Sequence, residues 1–171
     1  MTVCSIRDAT LEDADGLTAL INSIILIGGT TTHLVHFDAE QMRNTYVKPI
    51  LGISCLIAEI RGHITGFQSL EWSDPEWRGE DRIALDWAFI AIFVAPDNHG
   101  KGIGKLLFEQ TKKRALYFGV NTIDATIRAD NQAGLRYYTR LGFRDYDRMS
   151  ARPLSDGTLV DRIRKKMHLF P

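Results

Sequence analysis

Cysteine is scarce in this chain. Cys4 and Cys55 are the only two among 171 residues, and neither has a companion at metal-ligand spacing. A disulfide scaffold and a thiolate metal centre are therefore both excluded, and the pair reads as buried, reduced thiols of a cytoplasmic protein. An excess of either charge is also lacking, since Lys plus Arg and Asp plus Glu both number 21. That balance removes the bulk electrostatic case for nucleic acid or an anionic membrane as partner. Long apolar runs are missing too: Ile24–Ile27 and Ala88–Ala95 fall far short of the roughly 20 residues of a membrane span. Residues 1–13 carry no basic start followed by an apolar core, so no secretory leader is expected. No internal repeat, low-complexity tract or linker interrupts the chain. What remains, 44% hydrophobic and 25% charged, is the composition of a soluble globular protein, with length for one domain over residues 1–171.

The most informative stretch runs from Leu85 to Lys105. Ala88–Ala95 is apolar throughout and rich in Ile, Phe and Val, the pattern of a strand buried on both faces. Pro96 ends it, having no N–H to donate to a ladder. After Asp97, Asn98 and His99 comes Gly100-Lys101-Gly102-Ile103-Gly104-Lys105, which opens a helix. Glycines let backbone amides approach a ligand uncovered, and the first amides of a helix lack intrahelical acceptors, so an anion is favoured there. Two common phosphate motifs do not fit. Leu106 follows Gly104-Lys105 where a P-loop needs Ser or Thr, and the Gly-x-Gly-x-Gly spacing differs from the dinucleotide fingerprint.

The rest of the chain frames this stretch. Val3–Arg7 reads as a short strand, Thr10 as a helix cap, and Leu17, Leu20, Ile21, Ile24 and Ile25 as one apolar helix face stopped at Gly28-Gly29. A polar loop, Thr30 to His36, leads to a shorter helix over Asp38–Val47. Ile53–Ile60 and His63–Glu71 form a hairpin about Arg61-Gly62, and Trp72–Arg82 is an exposed acidic loop. Beyond the Gly-rich turn, a helix to Phe118 precedes a strand at Thr122–Ile127. A helix from Asn131 to Leu141 follows, then strands from Phe143 to Ala151 and over Leu159–His168. The order β-α-α-β-β-β-α-β-α-β-β predicts a mixed sheet covered by helices.

Two motifs give this order a family. His99-Gly100-Lys101-Gly102-Ile103-Gly104, after Val94-Ala95-Pro96, resembles the acyl-CoA-binding motif of the GNAT superfamily of N-acetyltransferases, with His99 where Gln or Arg is usual. Asn131 through Tyr138-Thr139-Arg140-Leu141-Gly142-Phe143 resembles the second signature of that superfamily, an Asn opening a helix that ends in Tyr-x-Lys/Arg-x-Gly-Phe. The resemblance covers essentially the whole chain, and within the family it is similar to the phosphinothricin and amino-acid N-acetyltransferase branch. It implies an α/β (α+β) GNAT fold, with a mixed, mostly antiparallel, twisted sheet of about seven strands and about four helices.

The resemblance also implies a chemistry. Acetyl-CoA, with no metal, would lie where the central strand and Thr122–Ile127 splay apart. Its pyrophosphate would rest on the amides of Gly100, Lys101, Gly102, Ile103, Gly104 and Lys105. Its pantetheine would pair with the backbone of Ile92, Phe93 and Val94, and Asn131 would bond to that arm. A backbone N–H at Ile92 or Phe93 would polarise the thioester carbonyl, and Tyr138 would be the general acid for the departing thiolate. Tyr137 reads as a core aromatic. The central strand has no Glu to serve as base. Asp86 and Glu71 are the acidic alternatives, with His33 and His36 beside them, unless water carries the proton away. Thr31, Thr32, His33, Glu71 and Trp72 would shape the acceptor pocket, with Trp77, Asp74 and Glu76 nearby. The acceptor expected is a small-molecule amine, an amino acid or an analogue such as phosphinothricin, and the assembly a homodimer. Protein or peptide acetylation, or a non-catalytic acyl-CoA sensor on the same fold, are the alternatives.

Overall fold

The computed structural model describes residues 3–170. Its elements are β1 (Cys4–Asp8), α1 (Ala14–Ile27), α2 (Ala39–Met42), β2 (Gly52–Ile60), β3 (His63–Trp72), β4 (Trp87–Val94), α3 (Ile103–Tyr117), β5 (Thr122–Arg128), α4 (Gln132–Leu141), β6 (Arg144–Pro153) and β7 (Leu159–His168). They form a seven-stranded sheet of order β1-β2-β3-β4-β5-β7-β6. Every pairing is antiparallel except β4–β5, which is parallel because α3 carries the chain across between them. The expected element order is the observed one. The helix expected over Asp38–Val47 is α2 continued by a wider turn, Arg43–Val47, with Asp38 capping the Gln41 amide.

Alternation along the strands sorts the core into two layers. Phe67 and Cys55 face α1, whose Leu17, Leu20, Ile21, Ile24 and Ile25 are buried, with Phe93 and Ala91 against the same cluster. Leu70, Ala88, Ile90, Ile123 and Ala125 face the other way, onto Phe108 of α3 and Tyr138 of α4. Helices thus cover both faces of the middle of the sheet. Burial pushes the Cys55 thiol up to about 12, which suits an inert core thiol. The β2–β3 hairpin turns on Arg61 and Gly62, both with positive φ, the geometry of a two-residue primed turn.

One expectation changes. Ala88 and Ile90 are buried, but Ala91, Ile92, Phe93 and Val94 are only half-buried. The end of β4 has lost a neighbour. β4 and β5 pair only at Trp87–Thr122, Ala88–Ile123 and Phe89–Asp124, although β4 continues to Val94 and β5 to Arg128.

Candidate active site

The wedge between β4 and β5 is the centre of the site. Ala95 N–H donates to Thr65 O on β3. In an antiparallel ladder the bonding direction alternates residue by residue, so Phe93 turns its N–H and C=O toward β3, while Ile90, Ile92 and Val94 turn theirs toward the wedge. Of the two amides considered from the sequence, the one at Ile92 therefore faces the opening. Phe93 contributes only a side chain, on the α1 face, where it stacks on Phe67 at 5.0 Å between ring centroids.

At the wide end of the wedge the chain makes the glycine-rich turn into α3. Gly100 and Gly102 have φ of 75° and 80°, and a Cβ on either would meet nothing within 4 Å. These two are glycines for their backbone conformation, and the space above them is open. Gly102 caps α3 and its carbonyl accepts from Leu106 N–H, so the amides of Ile103, Gly104 and Lys105 have no intrahelical acceptor. Ile103 buries its side chain beside Leu56 and Ala58, anchoring the turn, while Lys101 and Lys105 are exposed cations flanking it. His99 Nε2 lies 2.9 Å from the Val94 carbonyl and ties the turn back to the strand end.

Gly104 has a different reason. A Cβ there would come within 2.6 Å of the Tyr137 ring. Tyr137 donates its hydroxyl to Gly104 O at 2.8 Å and accepts from Gln68 Nε2 at 3.2 Å. The expected core aromatic is thus a polar tie between α4 and the first turn of α3. Its neighbour Tyr138 is buried edge-on against Phe143 at 5.1 Å. Burial holds its phenol well above the ordinary value, so it is a neutral O–H. No hydrogen-bond partner for that hydroxyl exists among the described residues, which leaves it free to serve a ligand. Asn131 caps α4 through Gly134 N–H at 2.9 Å and donates Nδ2 to Thr30 O at 3.1 Å.

On the α1 face, the loop after α1 supplies His33. Its Nε2 is 2.6 Å from Tyr46 Oη, and the rings of Phe37, Phe67 and Phe93 surround the pair. Thr31 is buried and its Oγ1 accepts from His33 N–H; Thr32 is half-buried beside it. Glu71 shares this face and is half-buried; desolvation, then the charge of Asp74, raises its pKa. Two expected members are not brought here. Trp72 follows Glu71 by one residue, so alternation turns it to the opposite layer, where it packs against the α3–α4 core. Asp86 is exposed beyond the closed end of the wedge, its carbonyl taking Asn121 N–H. That puts it roughly 20 Å along the strand from Ile92. His36 is exposed, and Trp77 is spent on Asp81 in the loop before β4.

A polar cluster escaped the sequence reading altogether. Asp124, fully buried at the last β4–β5 pair, accepts from the Tyr146 hydroxyl and lies 3.5 Å from Arg164. Burial raises its pKa, while Tyr146, Arg164 and Thr126 hold it down. These residues stand on three strands, and no local motif links them.

The geometry and the comparisons agree on class. The chain matches the model of the Acetyltransferase (GNAT) family over residues 31–143, and it belongs to that family of acetyltransferases. It is 28% identical over 142 residues to the L-amino acid N-acyltransferase MnaT of Escherichia coli (strain K12), covering 81% of this chain and 78% of that one. It is 27% identical over 142 residues to the L-methionine sulfoximine/L-methionine sulfone acetyltransferase of Salmonella typhimurium, covering 81% and 79%. The fold is that of the structure of yncA from Salmonella typhimurium with its cofactor acetyl-CoA, at a TM-score of 0.76 and 22% identity over 98% of this chain and 94% of that one.

Proposed function

We propose that this enzyme transfers the acetyl group of acetyl-CoA to the primary amine of an amino acid or a close analogue, such as methionine sulfoximine or phosphinothricin, within a ternary complex. The observation that carries the reading is the edge of β4 beyond Phe89, which no strand pairs, leading into the open glycine turn of Gly100–Lys105; the Tyr138 hydroxyl, which bonds nothing among the described residues, would serve the sulfur. Backbone groups of Ile92 and Val94 would hold the pantetheine as an added strand, and the Ile103, Gly104 and Lys105 amides the pyrophosphate. When bound, acetyl-CoA supplies the activated acyl group. Ile92 N–H polarises the carbonyl, and Tyr138 protonates the departing sulfur. Asn131 orients the arm with the Nδ2 hydrogen that its bond to Thr30 leaves over. The acceptor lies on the α1 face, where Thr31, Thr32, His33 and Glu71 meet the aromatic cluster, and Glu71 attracts its ammonium. The compact loop after α1 and the names of the two relatives favour a small amine over a peptide. In this reading the chain is one cytoplasmic acetyltransferase domain, pairing as a homodimer and using no metal.

The test is release of CoA from acetyl-CoA, followed with a thiol reagent, across amino acids, methionine sulfoximine, phosphinothricin, polyamines, aminoglycosides and short peptides. Turnover confined to amino acids and analogues is expected. Turnover only on peptides would replace the acceptor class, and tight acetyl-CoA binding without turnover would favour a sensor.

A further inference from the structure

We propose that His33, held by Tyr46, is the base that takes the proton from the acceptor ammonium. The proposal rests on the acetyltransferase reading and supplies the group that reading lacks. Its basis is the path of the loop after α1. Thr30 and Thr31 are fastened to the far wall of the wedge: Asn131 Nδ2 donates to Thr30 O at 3.1 Å, and Arg128 Nη1 donates to Thr31 O at 3.1 Å. Two residues later, His33 is on the near wall, 2.6 Å from Tyr46 Oη, edge-on to Phe37 at 4.9 Å and tilted against Phe93 at 6.4 Å. Some 10 Å of chain therefore crosses the opening on the acceptor face. His33 ends against Phe93, one residue from both Ile92 and Val94, whose backbone faces the wedge.

The other bases fit less well. Asp86 lies beyond the closed end of the wedge, and His36 is exposed with no side-chain partner among the described residues. Glu71 pairs with Phe89 at the closed end, four residues, or about 13 Å, from the Phe67–Phe93 pair. It suits attraction of the ammonium better than removal of its proton. In the tautomer required, His33 Nε2–H donates to Tyr46 Oη, and Nδ1, which has no partner among the described residues, carries the lone pair. Tyr46, on the segment after α2, is the titratable group in contact with His33; Glu71 on β3 acts on Tyr46, and the Arg128–Asp130 pair lies beneath Thr31. Burial lowers the His33 pKa, so the ring is neutral and able to accept near pH 7.

The protons balance. His33 takes one from the ammonium and releases it to solvent. The amine lone pair forms the C–N bond as the C–S bond breaks. The nitrogen's second proton restores Tyr138, which has given its own to the thiolate. The products are the amide, CoA thiol and one proton.

His33→Gln, Glu71→Gln and Tyr46→Phe test this on whichever amine the wild type acetylates. His33→Gln should keep acetyl-CoA affinity by calorimetry and lose about 100-fold in kcat/KM near pH 7. It should recover toward wild type as pH approaches the amine's own pKa. Glu71→Gln should raise KM for the amine and keep the wild-type pH profile. Independently of turnover, nitrogen NMR of the protein without acetyl-CoA should show His33 neutral at pH 7 with the proton on Nε2, and Tyr46→Phe should move that resonance. A wild-type profile in His33→Gln, loss of the profile in Glu71→Gln instead, or a proton on Nδ1 would each overturn the base while leaving the enzyme reading intact. A wild type inert on every amine would overturn both.

Discussion

Tyr137 and Tyr138 are adjacent and chemically identical, yet their surroundings give them different work. Helical geometry turns Tyr137 onto Gly104, where its hydroxyl is engaged twice, and leaves the Tyr138 hydroxyl unengaged. A proton donor to a leaving thiolate must have its O–H free. Tyr138→Phe is therefore expected to lower kcat at least tenfold, about 1.4 kcal/mol of barrier, with KM for acetyl-CoA nearly unchanged. Steady-state kinetics on the reactive amine decide this, and an unchanged kcat would remove Tyr138 from the acid role. Tyr138, Asn131 and the glycines were legible in sequence because each belongs to a local motif. Gln68, Tyr46 and Asp124 were not, since their partners lie on other elements.

At the scale of the element, the turn into α3 separates two kinds of glycine. Gly102 combines a left-handed φ with open space above it. Gly102→Val is accordingly expected to strain the cap and fill the amide concavity, abolishing acetyl-CoA binding by calorimetry while leaving the core packed. Binding of undiminished strength would put the ligand elsewhere. Gly104→Ala drives a methyl into the Tyr137 ring, so its effect should be on stability, about 1–3 kcal/mol, read from the urea midpoint. The strand before the turn was legible as strand but not as half-open. Its apolar run is the same whether the neighbour stays paired or diverges, and the ladder that stops at Phe89 is a relation between two elements.

Across the whole molecule, β1, the entry to α1 and β2 are joined by Arg7, which donates to Asp13 at 2.8 and 2.7 Å and to Glu59 at 2.8 Å. The guanidinium holds the Asp13 carboxyl well below its ordinary 3.8. A depressed carboxylate stabilises the fold above its unfolded pKa and loses that contribution as pH falls toward the folded one. Urea midpoints measured downward from about pH 6 should therefore drop below about pH 4, and Asp13→Asn should flatten that drop while lowering stability at neutral pH. An equal slope in both proteins would assign the acid limb to other carboxylates. The sequence by itself determined the order of elements, the two motif-bearing turns and the family they resemble, because periodicity, caps and glycines act within a few residues of chain. Only the tertiary structure decided which amide of β4 faces the opening, which tyrosine is free, that Trp72 turns to the α3–α4 layer, that Asp86 is exposed beyond the closed end of the wedge, and that His33 meets Tyr46. Those depend on strand register and on where two strands part, and both are fixed by contacts between residues distant in the chain.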